Sequence, residues 1–161
     1  MKQIFISISI VFLFASCKND KKIIVSAALV DSLITNYNRP ETYKTNETDL
    51  QFWKNRLDPK NPGLINELKY AAALIQRFHL SGGINDVITA DSILHVADKT
   101  FNHKESSPNM ALVRNSMLQH RFTQADSLLD EAKKTDVKPY DAITTSFDVD
   151  FELGRYQHAE A

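Results

Sequence analysis

The chain has 161 residues, a formal net charge of −1, 43% hydrophobic and 24% charged residues. That is one domain's worth of protein, long enough to bury a core without disulfides, and the absence of any polybasic run argues against nucleic acid as a partner. Only four glycines and five prolines occur, too few strong turn formers for an all-β design, so long stretches are free to be helical.

Met1-Lys2-Gln3 is a short positive start, and Ile4 to Phe14 is apolar apart from Ser7 and Ser9. Eleven helical residues rise only about 16 Å, well short of a bilayer core, so residues 1–16 read as a signal peptide and not as a span. Phe14-Ala15-Ser16-Cys17 follows, with small residues before the chain's only cysteine. This resembles the lipobox of bacterial lipoproteins, with Phe14 where that pattern usually has Leu. The resemblance implies cleavage before Cys17, acylation of its thiol and amino groups, and anchoring in a lipid bilayer. Several acyl chains make such an anchor stable where one is marginal. Lys18, rather than Asp, follows Cys17; in lipoproteins of this type that implies the outer membrane, with the periplasmic face favoured over the cell surface. Residues 17–22 then form a solvated tether whose Lys18, Lys21 and Lys22 favour anionic headgroups.

Residues 23–60 are expected to be a helical segment and loop. Val25, Leu29, Leu33 and Tyr37 recur every four residues and predict a first helix. Asn38 to Glu47, with Pro40, reads as a loop, and Thr48-Asp49-Leu50-Gln51 as a capping box opening a short helix with Leu50, Trp53 and Leu57 on one face. At that spacing Trp53 is a core residue before it is a sugar-stacking platform. Asp58 to Gly63, with Pro59 and Pro62, ends this helix. A longer one follows, with Leu64, Leu68, Ala71, Ala72, Ile75 and Phe78 as its apolar stripe. Ser81-Gly82-Gly83 suits a chain reversal needing positive φ. Ser107 and Pro108 are expected as N-cap and first residue of the next helix, and Pro139 as the close of the second copy of the repeat in residues 61–161.

Residues 61–161 repeat. Ala90-Asp91-Ser92-Ile93-Leu94-His95-Val96-Ala97-Asp98-Lys99 aligns with Ala125-Asp126-Ser127-Leu128-Leu129-Asp130-Glu131-Ala132-Lys133-Lys134 at an offset of 35, with six of ten positions identical. Phe122-Thr123-Gln124-Ala125-Asp126 then matches Tyr156-Gln157-His158-Ala159-Glu160 at an offset of 34. Two successive offsets near 34, with matched small and large positions, make a chance coincidence in a generic bundle the weaker explanation. The small Ala90, Ala125 and Ala159 suit close helix approach, and Leu94 and Leu129, one turn on, fill the space between hairpins.

This period and the segment Gly154-Arg155-Tyr156-Gln157-His158-Ala159 resemble the tetratricopeptide repeat, whose turn and second helix begin Gly-x-Tyr-x-x-Ala. The resemblance implies an all-α fold of helix–turn–helix units stacked as a superhelix. Ala90, Leu94, Ala97, Phe122, Ala125, Leu129, Ala132, Gly154, Tyr156 and Ala159 would be its packing positions, with Phe122 and Tyr156 plugging the turn end of each hairpin. Val113 and Phe147 stand where the first helix usually has a small residue, which implies wider packing there. The chain ends two residues after Ala159, within the third copy's second helix. A helix that short leaves its partner uncovered, so a longer repeat protein is expected.

No catalytic or metal motif stands out. His79, His95, His103, His120 and His158 form neither HExxH nor a ligand-spaced pair, and no GxSxG, GxGxxG or phosphate loop occurs. Asp98, Asp126, Asp130 and Glu131 are expected on solvated outer faces. No cofactor, metal or enzyme activity is therefore expected. In tetratricopeptide proteins first helices line the concave face, which implies partner contacts at Met110, Arg114, Met117, Leu118, Asp148, Phe151 and Glu152. The same residues serve equally as packing between repeats.

The function expected first is a membrane-anchored scaffold binding other envelope proteins or peptides. The alternatives are a glycan-binding surface lipoprotein of the kind some Bacteroidota carry, with helices similar to these repeats, and the anchoring segment of a longer enzyme.

Overall fold

The computed structural model describes residues 25–159, whose regular structure is all helical, with no strand among them. Cys17, the leader before it and the tether to Lys22 lie outside the described residues. Among those described, no helix is long and apolar enough to cross a membrane.

The first helix, α1 (Ala27–Thr35), falls in a separate unit from all the others, which lie within Arg39–Ala161. Ser26 caps it, its hydroxyl accepting from the Leu29 N–H at 3.2 Å, and the Asn36 side chain donates back to the Ser32 carbonyl at 2.9 Å. Val25 and Tyr37 flank this helix rather than belonging to it.

The second unit holds α2 (Glu41–Lys54), α3 (Leu64–Ser81), α4 (Ile84–Thr100), α5 (Ser106–Leu118), α6 (Phe122–Ala132), α7 (Pro139–Glu152) and the short α8 (Tyr156–Ala159). Each packs on the next, and α3 also touches α5. Because α2 packs on α3, it belongs to this compact unit, Arg39–Ala161, together with the helices that follow.

Several local expectations change. Most of the stretch read as a loop, from Glu41 to Glu47, is the first half of α2, which starts directly after Pro40. Thr48 caps nothing; its hydroxyl donates to the Lys44 carbonyl one turn back. Asn46 is why this half holds: it is 5% exposed, and its amide donates to the Ala73 carbonyl of α3 at 3.0 Å. A buried asparagine whose amide donates across a helix pair does not register as an apolar repeat.

In α3 the buried side chains are Glu67, Tyr70, Ala71, Ala73 and Leu74, while Leu68 and Ile75 are half-buried and Ala72 is exposed. The helix is covered on two sides, by α2 and α4, so its fully buried surface is wider than one amphipathic stripe and is rotated away from the predicted one. Its C-cap Gly82 has φ +71°, a left-handed conformation that side chains disfavour, and only Gly82 and Gly83 separate α3 from α4.

The fifth helix starts at Ser106 with Glu105 as N-cap, so Ser107 does not cap it and the buried Pro108 is its third residue. Pro is tolerated there because the first turn's N–H groups have no intrahelical acceptor. Pro139 opens α7 at its first position, so it stands at the boundary where the second copy ends and the next helix begins.

Two apolar clusters result. Leu50, Tyr70, Ala71, Ala73, Leu74, Ala90, Leu94 and Leu112 join α2 to α5, with Trp53 and Leu57 partly buried against them. Met110, Val113, Ala125, Leu129, Ala132 and Val149 join α5, α6 and α7. Val113 is fully buried within this packing, whereas Phe147 is 48% exposed and does not wedge the helices apart.

Candidate functional site

The turns that enter α6 and α8 are built alike. His120 at φ +54° precedes Arg121, and Gly154 at φ +73° precedes Arg155. Arg121 donates to Asp91 of α4 at 2.8 Å. Arg155 donates to both oxygens of Asp126 in α6, at 2.8 and 2.6 Å, and pairs with Asp150 at 2.7 Å. Asn115, fully buried, donates to the Val87 carbonyl and to Asp91, both at 3.0 Å. Each arginine thus ties the start of a later helix to a carboxylate of an earlier one. The Arg155 hydrogen bonds hold the Asp126 carboxyl below its usual range.

Asp126 is therefore not a solvated outer residue, and neither is Asp98. Asp98 is 6% exposed, with its Oδ2 at 2.6 Å from His103 Nδ1 across the turn after α4. Asp130 and Glu131 are exposed, as expected. Earlier in the chain Arg77 plays the bracketing role. Its Nε and Nη2 donate to the Asp86 carboxylate at 2.8 and 2.6 Å and its Nη1 to Glu47 at 3.2 Å, which raises its already high pKa.

Beside this bracketed framework α3, α5 and α7 line an open groove of about 930 Å³. Leu68, Ala72, Ile75, Gln76 and His79 line it from α3, Ala111, Arg114, Met117 and Leu118 from α5, and Phe147, Asp148, Phe151 and Glu152 from α7. Phe122 and His120, ring edge to ring face with centroids 5.5 Å apart, close one end. Phe147 and Phe151 stack one turn apart at 6.1 Å, and Tyr156 stands edge-on to Phe151 at 5.5 Å. The surface is mainly apolar with polar groups at intervals, a composition suited to gripping an apolar partner while orienting it.

Of the partner residues implied by the repeat register, Arg114, Met117, Leu118, Asp148, Phe151 and Glu152 line this groove. Met110 does not; it is 6% exposed and packs with Val113 and Leu129 in the core. One turn of α5 separates it from Arg114, and at that turn the helix is already enclosed. Of the packing positions, Ala90, Leu94, Ala97, Ala125, Leu129 and Ala132 are buried. Phe122 is half-buried at the groove, Ala159 is partly covered, and Tyr156 is 58% exposed, so Tyr156 does not plug its hairpin. Among the groove residues not anticipated are Phe147, Gln76, His79, Ala111, His120 and the α3 apolar residues. The run Tyr140, Ile143, Phe147, Phe151 on α7 carried the signal for Phe147.

Among the described residues no group of three or more His, Cys, Asp or Glu is placed to hold a metal ion. The fold and groove define an all-helical protein with an apolar cleft between alternate helices. Comparisons with protein-family profiles, curated proteins and solved structures gave no match.

Proposed function

We propose that the chain is a lipid-anchored, tetratricopeptide-type binding protein of a bacterial cell envelope that holds a partner protein in the groove between α3, α5 and α7. The observation that carries this is the groove itself. It is lined mainly by every second helix and is apolar over most of its surface. The recurrence of the Asp91–Arg121 contact as Asp126–Arg155 supports a repeat register, and Ala90 and Ala125 take the same buried place in successive hairpins. The lipobox resemblance at Cys17 supplies the anchor, and a tether behind it raises the local concentration of envelope partners.

The carbohydrate alternative has less support, since Trp53 packs against the core rather than offering an open platform.

A photo-crosslinking side chain placed at Met117 in the full chain, in living cells, tests the binding role. Discrete protein adducts are expected at Met117 and not at Asp130; the same pattern at both positions, or no protein adduct, sinks it. The anchor is tested separately: Cys17→Ala should abolish fatty-acid labelling, and unchanged labelling refutes that part.

A further inference from the structure

The groove is not electrically even. Asp148 and Glu152 line its α7 side, both are exposed, and neither has an ion-pair partner among the described residues. The other two acids of α7 are engaged, Asp141 with Arg114 at 3.9 Å and Asp150 with Arg155 at 2.7 Å. Glu152 is also the last residue of α7, whose final turn holds no basic residue. The carbonyl end of a helix carries partial negative charge, so a carboxylate there is the disfavoured choice, and its field adds to that of the helix. Beside the two acids stand Phe147 and Phe151, one turn apart and about half exposed.

We propose that the α7 side of the groove takes a peptide segment of another protein that carries apolar side chains and two basic residues about one helical turn apart. The basic residues meet Asp148 and Glu152, which lie four residues apart and hence about 6 Å along the axis. The apolar side chains enter between Phe147, Phe151 and Met117. Charge complementarity selects this occupant over a second copy of the chain. An isologous pairing through α7 sets the same surface against itself, bringing Asp148 and Glu152 beside their own equivalents at a repulsive cost. The inference rests on the groove being a protein-binding site and adds the chemistry of the partner.

The test uses the full chain in a neutral detergent and two synthetic helical peptides with the same leucine face, one with lysines at four-residue spacing beside it and one with glutamates there. The lysine peptide is expected to bind, and roughly tenfold more weakly to Asp148→Asn/Glu152→Gln. An Asp49→Asn/Asp130→Asn control, which removes two exposed acids elsewhere, should leave its binding unchanged. Binding should also weaken as ionic strength approaches 1 M, where the screening length is about 3 Å. Equal binding of both peptides overturns the charge assignment and leaves the groove reading standing. Binding of neither overturns both. A lysine-peptide affinity that falls equally in the control pair overturns the assignment to α7. Self-association of the chain that Phe151→Ala abolishes would replace the peptide with a second copy.

Discussion

Arg155 grips Asp126 with both terminal nitrogens, at 2.8 and 2.6 Å, across 29 residues of sequence. The planar fork of a guanidinium matches a carboxylate in two parallel hydrogen bonds, so the contact fixes orientation as well as distance. The start of α8 is thereby registered on α6. Arg121 ties the start of α6 to α4 through a single hydrogen bond to Asp91, at 2.8 Å.

A pH dependence follows from that grip. Arg155 lowers the Asp126 carboxyl below its ordinary value of 3.8. A depressed carboxylate adds stability that is present above the unfolded-state value and is lost as pH falls through the folded-state value. Arg155→Gln should therefore melt below the parent protein at pH 7, with the gap narrowing as pH drops below about 4. Thermal melts followed by circular dichroism across that range check this; a gap that stays constant or widens in acid contradicts it.

Arg77 is placed to matter more, because its partner Asp86 is only 8% exposed. Arg77→Met keeps much of the apolar stem but strands the Asp86 carboxylate, at an expected cost of about 2 kcal/mol. Adding Asp86→Leu should recover part of that loss, since removing both charges is cheaper than orphaning one. Chemical denaturation of the single and double variants measures both effects, and a double variant no more stable than Arg77→Met would exclude this cause.

The glycines separate backbone strain from packing. A Cβ at Gly82 would meet nothing within 4 Å, yet its φ is +71°. Gly82→Ala should thus cost about 1 kcal/mol purely through backbone conformation. Gly63 has an ordinary φ of −102°, and its added Cβ would come no nearer than 3.6 Å to the Glu67 carboxylate. Gly63→Ala should change stability by less than about 0.5 kcal/mol, since alanine restricts the unfolded chain but is the poorer N-cap. Equal losses at the two sites would show that positive φ is not what matters at Gly82.

Packing predicts the opposite ranking from side-chain size for two repeat positions. Ala125 is fully buried, so Ala125→Leu should overpack the α5–α6–α7 cluster and destabilise by about 2 kcal/mol. Tyr156 is larger but 58% exposed, and Tyr156→Ala should change stability by less than about 1 kcal/mol. Denaturant midpoints for the two variants decide it; a larger loss at Tyr156 would mean that its contact with Phe151 is worth more than its exposure implies.

The helical character and the recurrence of small residues near every 35 positions were legible in the sequence because both depend on local spacing. A helix brings residues three and four apart onto one face whatever surrounds it, so Ala90, Leu94, Ala97 and their counterparts Ala125, Leu129 and Ala132 announced themselves. Most of the groove residues on α5 and α7 followed from the same register. Polar residues that act across helices were not legible. Asn46, Asp98, Asn115 and Asp126 have the composition of a solvated face and are buried or braced only because a partner from a distant turn arrives beside them.

What the sequence determined alone is the material: helices, their approximate spacing, and which small residues permit close approach. Tertiary structure decided which face of each helix is covered. It buried Met110 while opening Arg114 one turn later, turned Phe147 outward, and left Tyr156 exposed beside Phe151. The physical reason is that a helix in a stack is enclosed by several neighbours at once, and how far each covers it depends on contacts, such as Arg155 with Asp126, that no short window of sequence contains.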